Sequence, residues 1–307
     1  MLVMRLLMLL AFSLIILQSR AQKSEPDLAF PPNNKWLYKN ISIDETEILN
    51  IHWLEYLYYL KKDSSATNFK AALPDTSVWF TVKDSIRSIH YLRNPGYRYF
   101  PVVGMNHSQA IDYCKWRTAI VNHSMQNDSA YRKRNSKAMS GSYKVFYWLP
   151  SEQEWMLAAS GNTDINQYQF GYKVFKGPSS LKGNKRGYYK KVLVPPAYKT
   201  FKRDLKDFNK TREEYAFNVI KRFKSYFQYG DYAPAYAYDK RTKPNSIGLY
   251  QMIGNVAEMV SEEGISKGGS WFHYPDESEI KNRIFYTRPE PWLGFRCVCE
   301  VTPIVKN

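Results

Sequence analysis

Asn255 and Glu258 are the residues of this chain best suited to hold a hard cation. They stand three apart in Gly254-Asn-Val-Ala-Glu258, both carry oxygen donors, and the carbonyls between them can point the same way. That donor set suits calcium, in a structural and not a catalytic role. Other metal chemistry has less to work with: His52, His90, His107, His123 and His273 show no paired helical spacing. Three cysteines, Cys114, Cys297 and Cys299, allow a single internal bridge.

A second chemistry-bearing stretch is electrostatic. Between Lys173 and Lys224 stand 16 basic residues against four acidic ones, so this segment holds +12 of the chain's formal +16. Its paired cations, Lys185 with Arg186, Lys190 with Lys191, Lys202 with Arg203 and Lys221 with Arg222, alternate with Tyr188, Tyr189, Tyr198, Phe201, Tyr215 and Phe223. Cations interleaved with aromatics also mark single-stranded nucleic-acid grooves. An exported chain rarely meets nucleic acid, so none is expected as a partner. An acidic envelope protein or an anionic membrane surface fits better.

The export expectation comes from the N-terminus. Arg5 precedes an apolar run from Leu6 to Leu17, too short to span a bilayer, and Ser19-Arg20-Ala21 places small residues where a signal peptidase reads. Residues 1–21 are read as a signal peptide. With no cysteine after the apolar run, the product is expected in the periplasm or cell envelope without a lipid anchor. Residues 22–307 are then one elaborated domain, and the whole chain's 44% hydrophobic and 16% aromatic content reads as globular.

Several elements must position these groups. Ile41-Ser-Ile-Asp44 reads as a strand leading into a helix, with Asp44 as its cap and Glu47 as capping-box partner. Leu49, Trp53, Leu54, Leu57 and Leu60 recur at helical spacing. Pro101-Val-Val-Gly104 reads as a strand entering a turn, and Ser108 as the cap of a helix carrying Ala110, Ile111, Cys114 and Trp116. Ser151 with Glu154 forms a second capping box, before Trp155. Residues 173–245 are read as an insertion, helical over Phe201–Phe227 with Leu205, Phe208, Phe217, Ile220 and Phe223 on one side.

Four ordered blocks carry a family resemblance. They are Pro101-Val-Val-Gly-Met-Asn-His-Ser-Gln-Ala-Ile-Asp-Tyr-Cys-Lys-Trp116, Trp148-Leu-Pro-Ser-Glu-Gln-Glu-Trp155, Gly248-Leu-Tyr-Gln-Met-Ile-Gly-Asn-Val-Ala-Glu-Met259, and Lys267-Gly-Gly-Ser-Trp271 closed by Leu293-Gly-Phe-Arg-Cys297. Together they resemble the formylglycine-generating enzyme, or sulfatase-modifying-factor, family. The resemblance implies an α+β fold, a distant variant of the C-type lectin fold, poor in regular secondary structure. It implies calcium at Asn255 and Glu258, and a disulfide between Cys114 and Cys297 with Cys299 as the alternative partner. Such a bridge closes a loop of roughly 180 residues, worth several kcal/mol in loop-entropy models. The leftover thiol is expected to pack as a small hydrophobe.

The family's reaction is another matter. Its enzymes oxidise a sulfatase cysteine with oxygen and a copper(I) held by two cysteines, because soft thiolates select that ion. Those cysteines fall three and eight residues past the serine of the Gly-Gly-Ser turn; from Ser270 that count reaches His273 and Ser278. Copper is therefore not expected. The family's usual Asn-x-Trp-Glu-Trp has become Asn255-Val-Ala-Glu-Met259, so the peptide cleft loses two aromatic walls. Arg296 reads as a buried hydrogen-bonding hub and Ser270 as a tight-turn residue. Gliding-motility and type IX secretion proteins of Bacteroidetes show a similar pattern: a signal peptide, an opening like Ile43-Asp-Glu-Thr-Glu47, this fold and no copper cysteines. The reading is a non-catalytic structural or scaffold component of an envelope assembly. The alternatives are an oxidoreductase using another cofactor on the same scaffold, and a ligand-binding module.

Overall fold

The computed structural model describes residues 28, 30–63, 66–129, 143–166, 168–171, 217–220, 233–239 and 242–304. The expected signal peptide lies outside them.

Two small sheets carry the fold. The first is wholly antiparallel, in the order β1 (Asn34–Tyr38), β2 (Ile41–Asp44), β8 (Val298–Pro303), β3 (Tyr143–Trp148). All four residues of β2 are buried, because this strand lies inside the sheet between a partner from the chain's start and one from its end. The second sheet runs β6 (Ile284–Phe285), β5 (Ile265–Lys267), β4 (Ala257–Met259), β7 (Leu293–Gly294), with β4 and β7 parallel.

Helix α1 (Asn50–Asp63) buries Trp53, Tyr56 and Leu57 in an aromatic core. There Trp53 stacks on Tyr113 at 5.5 Å and meets Phe295 edge-on at 6.1 Å. The expected cap of this helix is a correction. Asp44 does not cap it; its carboxylate takes both terminal nitrogens of Arg117 at 2.7 and 2.8 Å, and the Cys297 amide at 2.9 Å. The chain also stays extended through Ile48, which donates to Phe295 O and accepts from Val102 N, both at 2.8 Å. Pro101 forms only an isolated bridge to Leu49, and the chain turns at Gly104, φ 83°.

After two short helices, α2 (Ala66–Ala71) and α3 (Ser85–His90), comes the long α4 (His107–Asn127). Its cap is Asn106, in a capping box with Gln109, and not Ser108, whose hydroxyl donates to the Asn106 side chain. α4 also closes the sheet edge at β3. Asn122 donates to Val145 O and accepts from Val145 N, at 2.8 and 2.9 Å, while Thr118 Oγ1 accepts from Tyr147 N at 2.9 Å. Two side chains thus substitute for a neighbouring strand and blunt the edge. Helix α5 (Glu152–Ser160) starts from the expected Ser151–Glu154 capping box and buries Trp155 under a second apolar core of Leu249, Met252, Ile253 and Val298.

Phe217–Ile220 is a further correction. This stretch is extended, not helical, and Phe217 and Val219 are buried in the second core, while Ala233, Ala235 and Ala237 are buried nearby in sequence. The expected insertion therefore returns to the protein interior at 217–220 and 233–239. Leu205, Phe208 and Phe223 lie outside the described residues.

Candidate functional site

The turn before β4 is shaped by left-handed backbone at Gln251 (φ 55°), Gly254 (φ 80°) and Asn255 (φ 63°). A Cβ on Gly254 would sit 2.7 Å from Asn218 O, so only glycine fits. Asparagine tolerates the left-handed region, and Asn255 uses it to reach in four directions. Its N–H donates to Asn218 O (2.8 Å) and its carbonyl accepts from Trp271 N (2.9 Å). Its side-chain oxygen accepts from Ala235 N (2.7 Å) and its amide donates to Glu47 Oε1 (2.8 Å). One residue thus joins both returning segments to the core and to the turn at Ser270.

Glu258, in the middle of β4, is wholly buried against Arg296. The guanidinium donates through Nε to Oε2 at 2.7 Å and through Nη2 to Oε1 at 2.6 Å, and Trp155 Nε1 adds a third donor to Oε2 at 2.7 Å. Arg296 also donates to Asp44 O and Tyr250 O, each at 2.9 Å, and to Glu45 O at 3.4 Å. Such bidentate pairing is the strong form of a charge-assisted bond. Glu47, expected as a capping residue, is instead a buried acid beside this pair. Burial pushes its carboxyl up to about 8; Arg296 partly offsets this and Glu258 reinforces it.

These contacts test the calcium expectation. The oxygens of Asn255 and Glu258 already accept N–H groups from Ala235, Arg296 and Trp155, and an arginine sits where a cation would have to lie. The arrangement does not fit calcium at this pair. A guanidinium supplies the positive charge that the carboxylate needs, and a second cation would face it unscreened.

The second half of the site is the turn Gly268–Ser278. Gly268 and Gly269 are left-handed, and a Cβ on Gly269 would lie 1.8 Å from Ser278 Oγ. The fold therefore brings Ser270, His273 and Ser278 together around one glycine pair. Ser270 Oγ lies 2.6 Å from His273 Nδ1 and accepts from Phe272 N at 3.0 Å; Ser278 Oγ donates to Tyr274 O at 2.9 Å. His273 meets the Trp292 ring edge-on at 4.7 Å, and burial lowers its pKa to about 4, so it is neutral at physiological pH.

A serine beside a neutral imidazole suggests nucleophilic catalysis, but the surrounding donors are spoken for. The amides of Trp271, Phe272 and His273 donate to Asn255 O, Ser270 Oγ and Ser270 O, so these three are not free for a developing oxyanion. Ser270 itself is fully buried. Two hydroxyls and an imidazole are also a poor match for copper(I), which wants soft thiolates. Beside the turn lies a cavity of 350 Å³ lined by Thr81, Val82, Lys83, Ile220, Trp271 and Phe272. Ile220 is held there by its N–H to His273 O, at 2.8 Å.

Cys114 and Cys297 meet in the aromatic core with sulfurs 3.3 Å apart, both as thiols. Cys299, on β8, is buried in the same core, with its thiol pushed up to about 12 by burial. The eight basic residues proposed for partner binding, Lys185 to Arg222, lie outside the described residues. Glu47, Trp155 and Asp44 with Arg117 were not read from sequence as parts of this network. The Trp155 block and the opening Ile43–Glu47 carried a family signal, but Glu47 and Asp44 also matched a local capping pattern that the long-range contacts override.

The geometry defines an α+β domain in which a buried arginine–carboxylate hub supports a Gly-Gly-Ser turn at the mouth of a cleft. The sulfatase-modifying factor enzyme 1-like domain family matches residues 15–301, and the chain belongs to that family. Three solved structures are similar. Treponema denticola variable protein 1 is 16% identical over 89% of this chain and 93% of its own, with a TM-score of 0.44. CarF is 16% identical over 86% and 87%, at 0.43. PvdO from Pseudomonas aeruginosa is 14% identical over 90% and 88%, at 0.43. No curated protein matches the sequence.

Proposed function

We propose that this chain is a non-catalytic member of its family, exported after cleavage of residues 1–21, that serves as a scaffold component of a cell-envelope assembly of the gliding-motility or type IX secretion kind. The observation that carries the reading is the turn at Ser270. Where the family's oxidation needs two thiolates, the chain has His273 and Ser278, whose Nδ1 and Oγ bond within the turn. Partner contact falls to the basic segment, through Lys185, Arg186, Lys190, Lys191, Lys202, Arg203, Lys221 and Arg222. In the envelope the Cys114 and Cys297 thiols oxidise to a disulfide, since they already touch.

Affinity purification from intact envelopes tests this reading. Deleting the basic segment through Lys224 would remove the buried Phe217 and Val219, so neutralisation is the sounder variant. The wild type is expected to bring down stoichiometric partners, and a variant with Lys185, Arg186, Lys190, Lys191, Lys202 and Arg203 changed to Gln to lose them. A stoichiometric transition metal with turnover in the purified protein would overturn the scaffold reading in favour of an oxidoreductase on the same frame.

A further inference from the structure

Helix α3 is inside out. Its sequence, Ser85-Ile-Arg-Ser-Ile-His90, sets two isoleucines three apart, on one side of a helix that would ordinarily face a core. Here the only buried residue is Ser88, while Ile86 and Ile89 are 68% and 72% exposed. The polar side does the anchoring. Asp84 caps the helix by accepting from Arg87 N and pairs with the Arg87 guanidinium, which lies over the Trp79 ring; Ser88 Oγ donates to Ser85 O. Tyr91 follows the helix into the core, 4.7 Å from Trp79. Phe80, in the 3₁₀ turn Thr76–Val82 just before α3, is 61% exposed as well.

Single exposed apolar side chains are ordinary; three large ones within ten residues, two of them on a helix turned outward, are not. Exposed cations stand beside them in the sequence. Lys83, held left-handed at φ 59° between the turn and the helix, is exposed, as are Arg93 and Arg98. The acids of this stretch are committed: Asp84 to Arg87, and Asp75 to the Ser77 amide. A stretch that exposes both apolar and cationic side chains matches the boundary between headgroups and acyl chains of an anionic bilayer, which takes both. No helix among the described residues is long and apolar enough to cross a membrane, so contact would be from one side.

We propose that the exposed side chains of Phe80, Ile86 and Ile89, with the exposed Lys83, Arg93 and Arg98 of the same stretch, form a shallow docking wedge for an anionic lipid surface. The proposal rests on the envelope location given above, but not on the basic segment or on any protein partner. The test is co-sedimentation of the purified protein with vesicles of phosphatidylcholine, alone or with about 30% phosphatidylglycerol, near physiological salt. Wild type is expected to bind the anionic vesicles. Ile86→Ser/Ile89→Ser should weaken binding by about tenfold or more with an unchanged melting temperature, since neither side chain supports the core. Lys83→Gln/Arg93→Gln should weaken it by a smaller factor and reduce its salt sensitivity. Absence of wild-type binding, or binding untouched by the isoleucine pair, overturns the wedge. So does a wild-type dimer that the isoleucine pair converts to monomer without change in vesicle binding, which would make this face a contact between copies. Retention of envelope partners by Ile86→Ser/Ile89→Ser keeps the scaffold reading separate from either result.

Discussion

Around Arg296, polar groups are buried and answered from far along the chain: Glu258, Asp44 and Tyr250 converge on one guanidinium, and Asn255 reaches Glu47. Around Ser270, polar groups are equally close but answered locally, within two to four residues, by Phe272, His273 and Tyr274. The first pattern ties the N-terminal strand, α5 and both sheets into one body, so each member is indispensable to the fold. In the second, the side chains of Ser270 and Ser278 bond only within their own turn, which is joined to the rest through backbone bonds such as Trp271 N to Asn255 O. Substitutions at Ser270 and Ser278 are therefore expected to disturb the fold less than substitutions in the hub.

The contrast can be broken by removing one hub member. Arg296→Met leaves Glu258 buried without its partner, and we expect a loss of about 3–5 kcal/mol in chemical denaturation, with partial recovery when Glu258→Leu is added. Unchanged stability in the single variant would mean the hub is not what holds the two sheets together.

Asn255→Ala should cost about 2–3 kcal/mol, combining lost hydrogen bonds with left-handed strain at a non-glycine residue. EDTA should leave the wild-type melting temperature where it is. A fall on chelation, abolished in the variant, would restore the calcium assignment.

A pH profile sharpens the comparison at Glu47. Its folded pKa is raised, to about 8 from an ordinary 4.5, so the stability it contributes is full below 4.5 and lost as pH rises through 8. Glu47→Gln keeps a neutral group and should flatten that alkaline limb, a change on the order of a few kcal/mol. His273 has the opposite sign. Its pKa is depressed to about 4, so its contribution is present above 6.5 and lost as pH falls through 4. The smallest effect is expected at the turn itself: Ser270→Ala should cost about 1 kcal/mol, the worth of a local hydrogen bond. A loss as large as that of Arg296→Met would erase the distinction between the two regions.

Much of the local order was legible in the residues. The period of Leu49, Trp53 and Leu57 announced α1, the Ser151–Glu154 pattern announced α5, and the ordered blocks announced the family. Capping chemistry was less dependable. Asp44 and Ser108 matched the pattern, but Arg117 claims the first, and Asn106 lies better placed than the second. Phe217 and Ile220 kept helical spacing, yet an apolar spacing cannot say whether the core is met by a helix or by an extended segment tied down through Asn218.

The chain's order of residues was enough to set the missing thiolates, the Gly-Gly-Ser turn and the concentration of positive charge in Lys173–Lys224, because these are matters of residue type and spacing. Packing alone could assign Glu258 to Arg296, tie Asn255 to Glu47, and turn Ile86 and Ile89 outward. Each of those outcomes is a competition among partners tens to hundreds of residues apart, and burial and distance in the folded protein resolve it.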